Sequence, residues 1–191
     1  MATQTSDLLA AAASPTVAVV RAIADEQLDL PTPCRGYAVR DLLNHLFEVV
    51  MNFQALAAKR PVEWADKPDH LTDDGWRDRF AAETRRLADA WSDPSALEGV
   101  SPGMGIPQAT VGGMVLLDLT VHGWDLAAAT GQPYRPAPEA VAELHELVAQ
   151  LGPNARKMGI FAEQVPADAG LSGLDRLLCD TGRDPAWSAS A

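Results

Sequence analysis

Gln108-Ala109-Thr110-Val111-Gly112-Gly113-Met114-Val115-Leu116-Leu117-Asp118-Leu119-Thr120-Val121-His122-Gly123-Trp124-Asp125-Leu126 is the stretch whose reading decides the fold. Wound as a helix it is apolar nearly all round, and a helix without a polar face belongs at the centre of a domain. Gly131 offers a left-handed stop and Pro133 follows it, so a helix is expected over about 108–130. Three ionisable residues interrupt this apolar run. Asp118 and His122 are four positions apart, and Asp125 follows three later, spacings that return side chains to nearly the same direction.

Helical periodicity recurs outward from this segment and strand-like alternation is scarce, so the fold class is all-α. A first helix is expected from Ser6 to Asp29, with Pro15 kinking it or opening its main part at Thr16. Leu30 to Tyr37, with Pro31, Pro33 and Gly36, reads as a connector. A second helix over Val39 to Ala58 carries an apolar stripe of Leu42, Leu43, Leu46, Val49, Val50 and Phe53, with His45 on its border and Glu48 and Asn52 beyond. After a loop containing Pro61 and Pro68, Thr72 is placed to cap a third helix to about Trp91, buried through Trp76, Phe80, Leu87 and Trp91. Ser92 to Pro107 is a long Pro- and Gly-bearing connection. Beyond the fourth helix, a fifth is expected over Pro138 to Leu151 and a short one over Leu174 to Thr181. The 191 residues suit one domain, 1–191, with a bundle to about 132 and a helical extension over 133–191.

Composition narrows the function classes. A net charge of -11 disfavours nucleic acid and anionic membranes, because phosphate binding rests on Lys and Arg. No run of about 18 apolar residues exists for a membrane span, and no secretory leader is recognisable. Cys34 and Cys179 are too few for a disulfide framework, which makes the cytoplasm the default location.

The polar residues inside apolar helices admit two readings. His122 is either a neutral core histidine bonded to a carbonyl, with Asp118 paired to an Arg or capping a loop, or one of two imidazoles that with a carboxylate hold a divalent cation. The second needs His45 to meet the pair, which adjacent helices two and four would allow. Asp125 suits the orientation of a ligand imidazole. Glu48 is a candidate ligand, general base or solvated residue. His70 reads as a solvent-exposed loop residue and His145 as a surface or interface one. Cys34 reads as a packed structural thiol, since no neighbouring His or basic cluster in the sequence activates it. The Trp residues read as core or pocket wall.

Three ordered stretches resemble a known family. Thr32-Pro33-Cys34-Arg35-Gly36-Tyr37-Ala38-Val39-Arg40-Asp41-Leu42-Leu43-Asn44-His45-Leu46 resembles the TPCxGW-x-V-x-DLxxH segment of the mycothiol-dependent maleylpyruvate isomerases, within the DinB-like superfamily of metalloenzymes. Asp118 to Gln132 is similar to their second signature. Leu174 to Leu178 with Gly182 to Trp187 is similar to the ending of an actinobacterial subgroup. The resemblance implies a DinB-like four-helix bundle, here with additional short C-terminal helices, and a divalent ion held by His45, Asp118 and His122. Zinc is the expected metal, with nickel or iron as alternatives.

Characterised isomerases of the family carry Glu where this chain has Asp118, so the helix approaches the metal more closely or that ligand is weaker or water-bridged. Tyr37 replaces the usual Trp, and Ala38 replaces a capping hydroxyl whose loss costs about 1 kcal/mol. Roughly 60 residues follow helix four, too few for the larger C-terminal domain of the isomerase. The function implied is a metal-dependent enzyme using mycothiol or a similar low-molecular-weight thiol, an isomerase or thiol transferase, on an unknown electrophilic small molecule. Asp125 or Glu48 would orient a ligand or move a proton, and a homodimer is implied by analogy. The rivals are a metal-dependent hydrolase activating water and a non-enzymatic small-molecule-binding or stress protein with a vestigial site.

Overall fold

The computed structural model describes residues 4–64, 68–168 and 170–189. Six α-helices and no strands occur among them: α1 (Thr5–Ala22), α2 (Val39–Ala57), α3 (Trp76–Ala90), α4 (Gln108–Thr130), α5 (Pro138–Lys157) and α6 (Gly173–Asp180). The all-α, DinB-like expectation holds. Helix α1 packs on α4 and α3, and α2 packs on the same two, so the bundle runs α1, α4, α2, α3 around its axis. Helices two and four are therefore neighbours, the condition His45 required.

Each helix forms for reasons visible in its residues. The stripe of α2 places Leu42, Leu43, Leu46 and Phe47 wholly inside, each such side chain contributing about 2 kcal/mol over exposure. Ala38 supplies no side-chain cap at its start, but the Asp41 carboxylate accepts from the Ala38 N–H at 2.9 Å, satisfying one donor of the first turn. Helix α4 is buried along nearly its whole length and ends on Gly131 in the left-handed region, φ 69°. Gln108 holds its start, donating from Nε2 to the Leu56 and Ala96 carbonyls.

Where α1 passes α4 there is room only for glycine. A Cβ on Gly123 would lie 2.4 Å from Thr16 Oγ1 and 2.6 Å from the Tyr134 hydroxyl oxygen. Thr16 Oγ1 itself lies 2.9 Å from the Leu119 carbonyl oxygen and 3.1 Å from the Tyr134 hydroxyl. This polar junction lies on the turn of α4 that presents His122.

Several boundaries differ from expectation. Helix α1 stops at Ala22 rather than Asp29, with a single 3₁₀ turn at Asp25–Gln27 before the connector, and it continues through Pro15, one of the two readings of that residue. The capping of α3 falls later than Thr72: the helix begins at Trp76, where Asp73 Oδ1 accepts from Gly75 N–H at 2.9 Å. Residues 65–67 of the preceding loop, Lys67 included, lie outside the described residues. Helix α5 continues past Leu151 and through Pro153 to Lys157 because Gly152 and Ala155 prolong its buried face. Among the described residues no helix is long and apolar enough to cross a membrane.

Candidate metal centre

His45 from the second turn of α2 and Asp118 and His122 from α4 converge. One donor atom from each lies within 4.8 Å of the other two. The two imidazoles meet edge to face with centroids 5.1 Å apart, and His122 Nε2 is 3.7 Å from Asp118 Oδ1. Donors about 2.1 Å from one tetrahedral ion lie roughly 3.4 Å apart, so this spacing and this mixture of two nitrogens and an oxygen fit a small divalent cation. The three residues are half-buried, with open space on the α2 side where a cavity of about 630 Å³ reaches His45. Burial pushes the Asp118 carboxyl above its ordinary range, against the opposing pull of His122 and Arg183. Its side chain nonetheless keeps 30% of its exposure, which moderates that push.

Behind His122 stands a second arrangement. Asp125, completely buried, accepts from His122 Nδ1 at 2.9 Å and from Arg183 through Nη2 at 3.1 Å and Nε at 3.4 Å. Burial alone would raise the Asp125 carboxyl, but the His122 hydrogen bond and the Arg183 charge outweigh it and hold it below the ordinary carboxylate range. An ionised Asp125 keeps the proton on Nδ1 and leaves the Nε2 lone pair for the Asp118 side. Asp125 thus acts through His122.

Cys34 completes this rear group, its sulfur lying within 4.8 Å of donor atoms of His122 and Asp125. The tight loop before α2 carries it there: Thr32 Oγ1 donates to the Tyr37 carbonyl at 2.8 Å, and Val39 N–H donates to the Leu30 carbonyl at 2.9 Å. Burial pushes the Cys34 thiol up, aided by Asp125 and Asp118 and opposed by Arg183. The two donor groups are not equivalent. Arg183 already places a cation against Asp125 and Cys34, so a metal there would meet like charge, whereas among the described residues the guanidinium hydrogen-bonds Asp125 and not Asp118.

Arg183 is the residue that sequence reasoning missed as a site member. It follows Gly182, whose φ of 82° and approach to Ala162, 2.7 Å for an added Cβ, exclude other side chains. Helix α6, begun by Ser172 Oγ accepting from Asp175 N–H, delivers the turn. The available signal was Asp125 itself, a carboxylate in a largely apolar helix needing a cation.

His70 is not solvent-exposed as its polar loop suggested. Its side chain is 12% exposed, stacks on Phe47 at 4.9 Å and pairs through Nε2 with Glu48 Oε1 at 2.5 Å. Asn44 Oδ1 accepts from its backbone N–H and Arg79 donates to its carbonyl, so the loop folds back onto α2. Glu48 lines the same cavity as His45 but belongs to neither donor group. His145 also lies outside both, half-buried beside Gly173.

Sequence comparison now adds to this geometry. The profile of the mycothiol maleylpyruvate isomerase N-terminal domain matches residues 9–127, well over half the chain and all of His45, Asp118, His122 and Asp125. The chain belongs to that family. Two uncharacterised proteins of Mycobacterium tuberculosis, from strains CDC 1551 and H37Rv, are each 33% identical over 165 residues, covering 83% of this chain and 86% of theirs. No solved structure gives a significant match. Arg183 lies beyond the family's matched segment, so the carboxylate that orients His122 inside that segment is neutralised from outside it.

Proposed function

We propose that His45, Asp118 and His122 hold a divalent cation, zinc first and nickel or iron as alternatives, and that the chain uses it with a low-molecular-weight thiol such as mycothiol to isomerise or transfer thiol to an electrophilic small molecule. The observation that carries this reading is the approach of three donors from two helices to within 4.8 Å of one another. Membership of the isomerase-domain family supports the thiol. A cation bound there supplies Lewis acidity, lowering the pKa of a thiol that shares it.

The chain's own residues divide the remaining work. His45 and His122 offer neutral nitrogens, and Asp118 supplies the one negative charge. Asp125 fixes the tautomer and ring orientation of His122, and Arg183 keeps Asp125 ionised. Cys34 closes the rear of the site as an un-ionised thiol, leaving the incoming thiol without a competing thiolate. Glu48, anchored on His70 by one oxygen, stands at the cavity wall to accept or return a proton.

His122→Ala is the test. Loss of both bound metal and thiol-dependent turnover is expected, and a fully metallated, active variant contradicts the assignment.

A further inference from the structure

The cavity beside His45 has a composition of its own. Its outer part is walled by Tyr37 and Trp64, and by the carboxylates of Asp41, Glu48 and Asp69. Tyr37 and Trp64, 36% and 46% exposed, are the aromatic side chains among the exposed large apolar residues described, and both face this one space. Neither is loose: Tyr37 meets the His45 ring at 6.1 Å, and Trp64 meets Phe53 at 6.1 Å. Large rings left partly open around a cavity of about 630 Å³ are the kind of lining that small-molecule sites use.

Charge selects the molecule. Among the described residues that line it, three carboxylates stand against one cation, Arg40, whose Nε is engaged by Asp29 at 2.7 Å. Asp69 holds its shape through Oδ1, which accepts from Leu71 N–H at 3.0 Å and from Asn44 Nδ2 at 3.3 Å. Glu48 commits Oε1 to His70, and Asp41 commits Oδ2 to the start of α2. Each carboxylate is thus held in place through one oxygen. Aromatic faces beside carboxylates attract an ammonium group, by ring quadrupole and by charge-assisted hydrogen bonding. A dicarboxylate would meet like charge on this wall.

We propose that the outer part of this cavity binds a primary ammonium group carried on an apolar or aromatic skeleton, so that the small molecule accepted is an organic amine rather than a dicarboxylate. The inference rests on the proposed function only in assigning the cavity to the metal centre. The bound molecule would present an electron-pair donor to the His45 end and its ammonium to Asp69, Asp41 and Glu48.

Three probes of one skeleton test it on the metal-free full chain: 2-phenylethylamine, 2-phenylethanol and phenylacetate, followed by quenching of tryptophan fluorescence. Saturable quenching by the amine is expected, with a dissociation constant about tenfold below that of phenylacetate, and Trp64→Phe should remove the signal. Asp69→Asn keeps the acceptor for Leu71 and should weaken the amine about threefold while leaving the alcohol unchanged. Phenylacetate binding as tightly as the amine, no saturable quenching by the amine, or an unchanged titration in Trp64→Phe overturns the proposal. His122→Ala should retain the amine site. If the wild type takes up no metal yet binds the amine, the metal centre falls and the amine site stands; metal uptake without amine binding gives the reverse.

Discussion

Arg183 and Asp125, 58 positions apart, form a two-pronged ion pair at 3.1 and 3.4 Å, and Asp125 spends the same carboxylate on His122 at 2.9 Å. The C-terminal extension is thereby tied to the imidazole that faces the candidate metal centre. Arg183→Ala leaves a completely buried carboxylate with His122 as its remaining partner. Breaking such a pair from one side costs about 3 kcal/mol or more, so thermal unfolding of the metal-free protein should move down by several degrees. An unchanged midpoint would show that the pair is solvated.

Asp125→Ala should lower metal affinity ten- to a hundredfold, the usual effect of removing the group behind a ligand histidine. The chelator concentration needed to strip the metal measures it. Affinity equal to wild type would separate Asp125 from the centre.

Cys34→Ala should keep full metal stoichiometry. Cys34 shares the rear donor group with His122 and Asp125, but the Arg183 cation stands there and burial holds the thiol un-ionised. Elemental analysis decides, and loss of metal in this variant would move the centre to the rear group. Slow alkylation of Cys34 by iodoacetamide at neutral pH follows from the same raised thiol pKa.

Asp118 and Asp125 should give the metal-free protein opposite pH responses. The Asp125 carboxyl is lowered by folding, so its contribution is present above the unfolded value near 3.9 and is lost as pH falls through the lower folded value. The Asp118 carboxyl is raised by burial, so stability is present below the unfolded value and is lost as pH rises through the folded one. Asp118→Asn should therefore raise the unfolding midpoint of metal-free protein at neutral pH while abolishing metal uptake, and Asp125→Asn should lower it. Denaturation curves at pH 3 to 7 distinguish the two. A lower midpoint for metal-free Asp118→Asn at neutral pH would contradict the sign.

Gly123→Ala should destabilise the chain by about 2 kcal/mol, the scale of overpacking, because the added methyl meets Thr16 Oγ1 and the Tyr134 hydroxyl, and neither lies on a long flexible side chain. A chemical denaturation midpoint unchanged from wild type would mean that α1 and α4 separate freely.

The pattern of α4 made the bundle legible, since an apolar helix of that length has one place to go. The pair Asp118 and His122 was legible for the same reason, and His45 joined it through the segment Thr32 to Leu46. Arg183 was not, because an ion pair spanning 58 positions depends on where α6 docks, which no local periodicity encodes. His70 was misread because the composition of its loop is polar, whereas its ring packs on Phe47 and its Nε2 hydrogen-bonds Glu48. Of the two readings of Pro15, one helix running through it is the one observed, and Thr16, buried between α1 and α4, holds that turn against the Leu119 carbonyl.

The most direct measurement is the metal content of protein purified without added metal, taken for wild type, His45→Ala and His122→Ala after each is shown to be folded. One equivalent of a divalent metal in the wild type and less than a tenth of that in both variants is expected. Wild type without metal that also fails to take up zinc, or either variant retaining a full equivalent, would contradict a centre built from His45, Asp118 and His122.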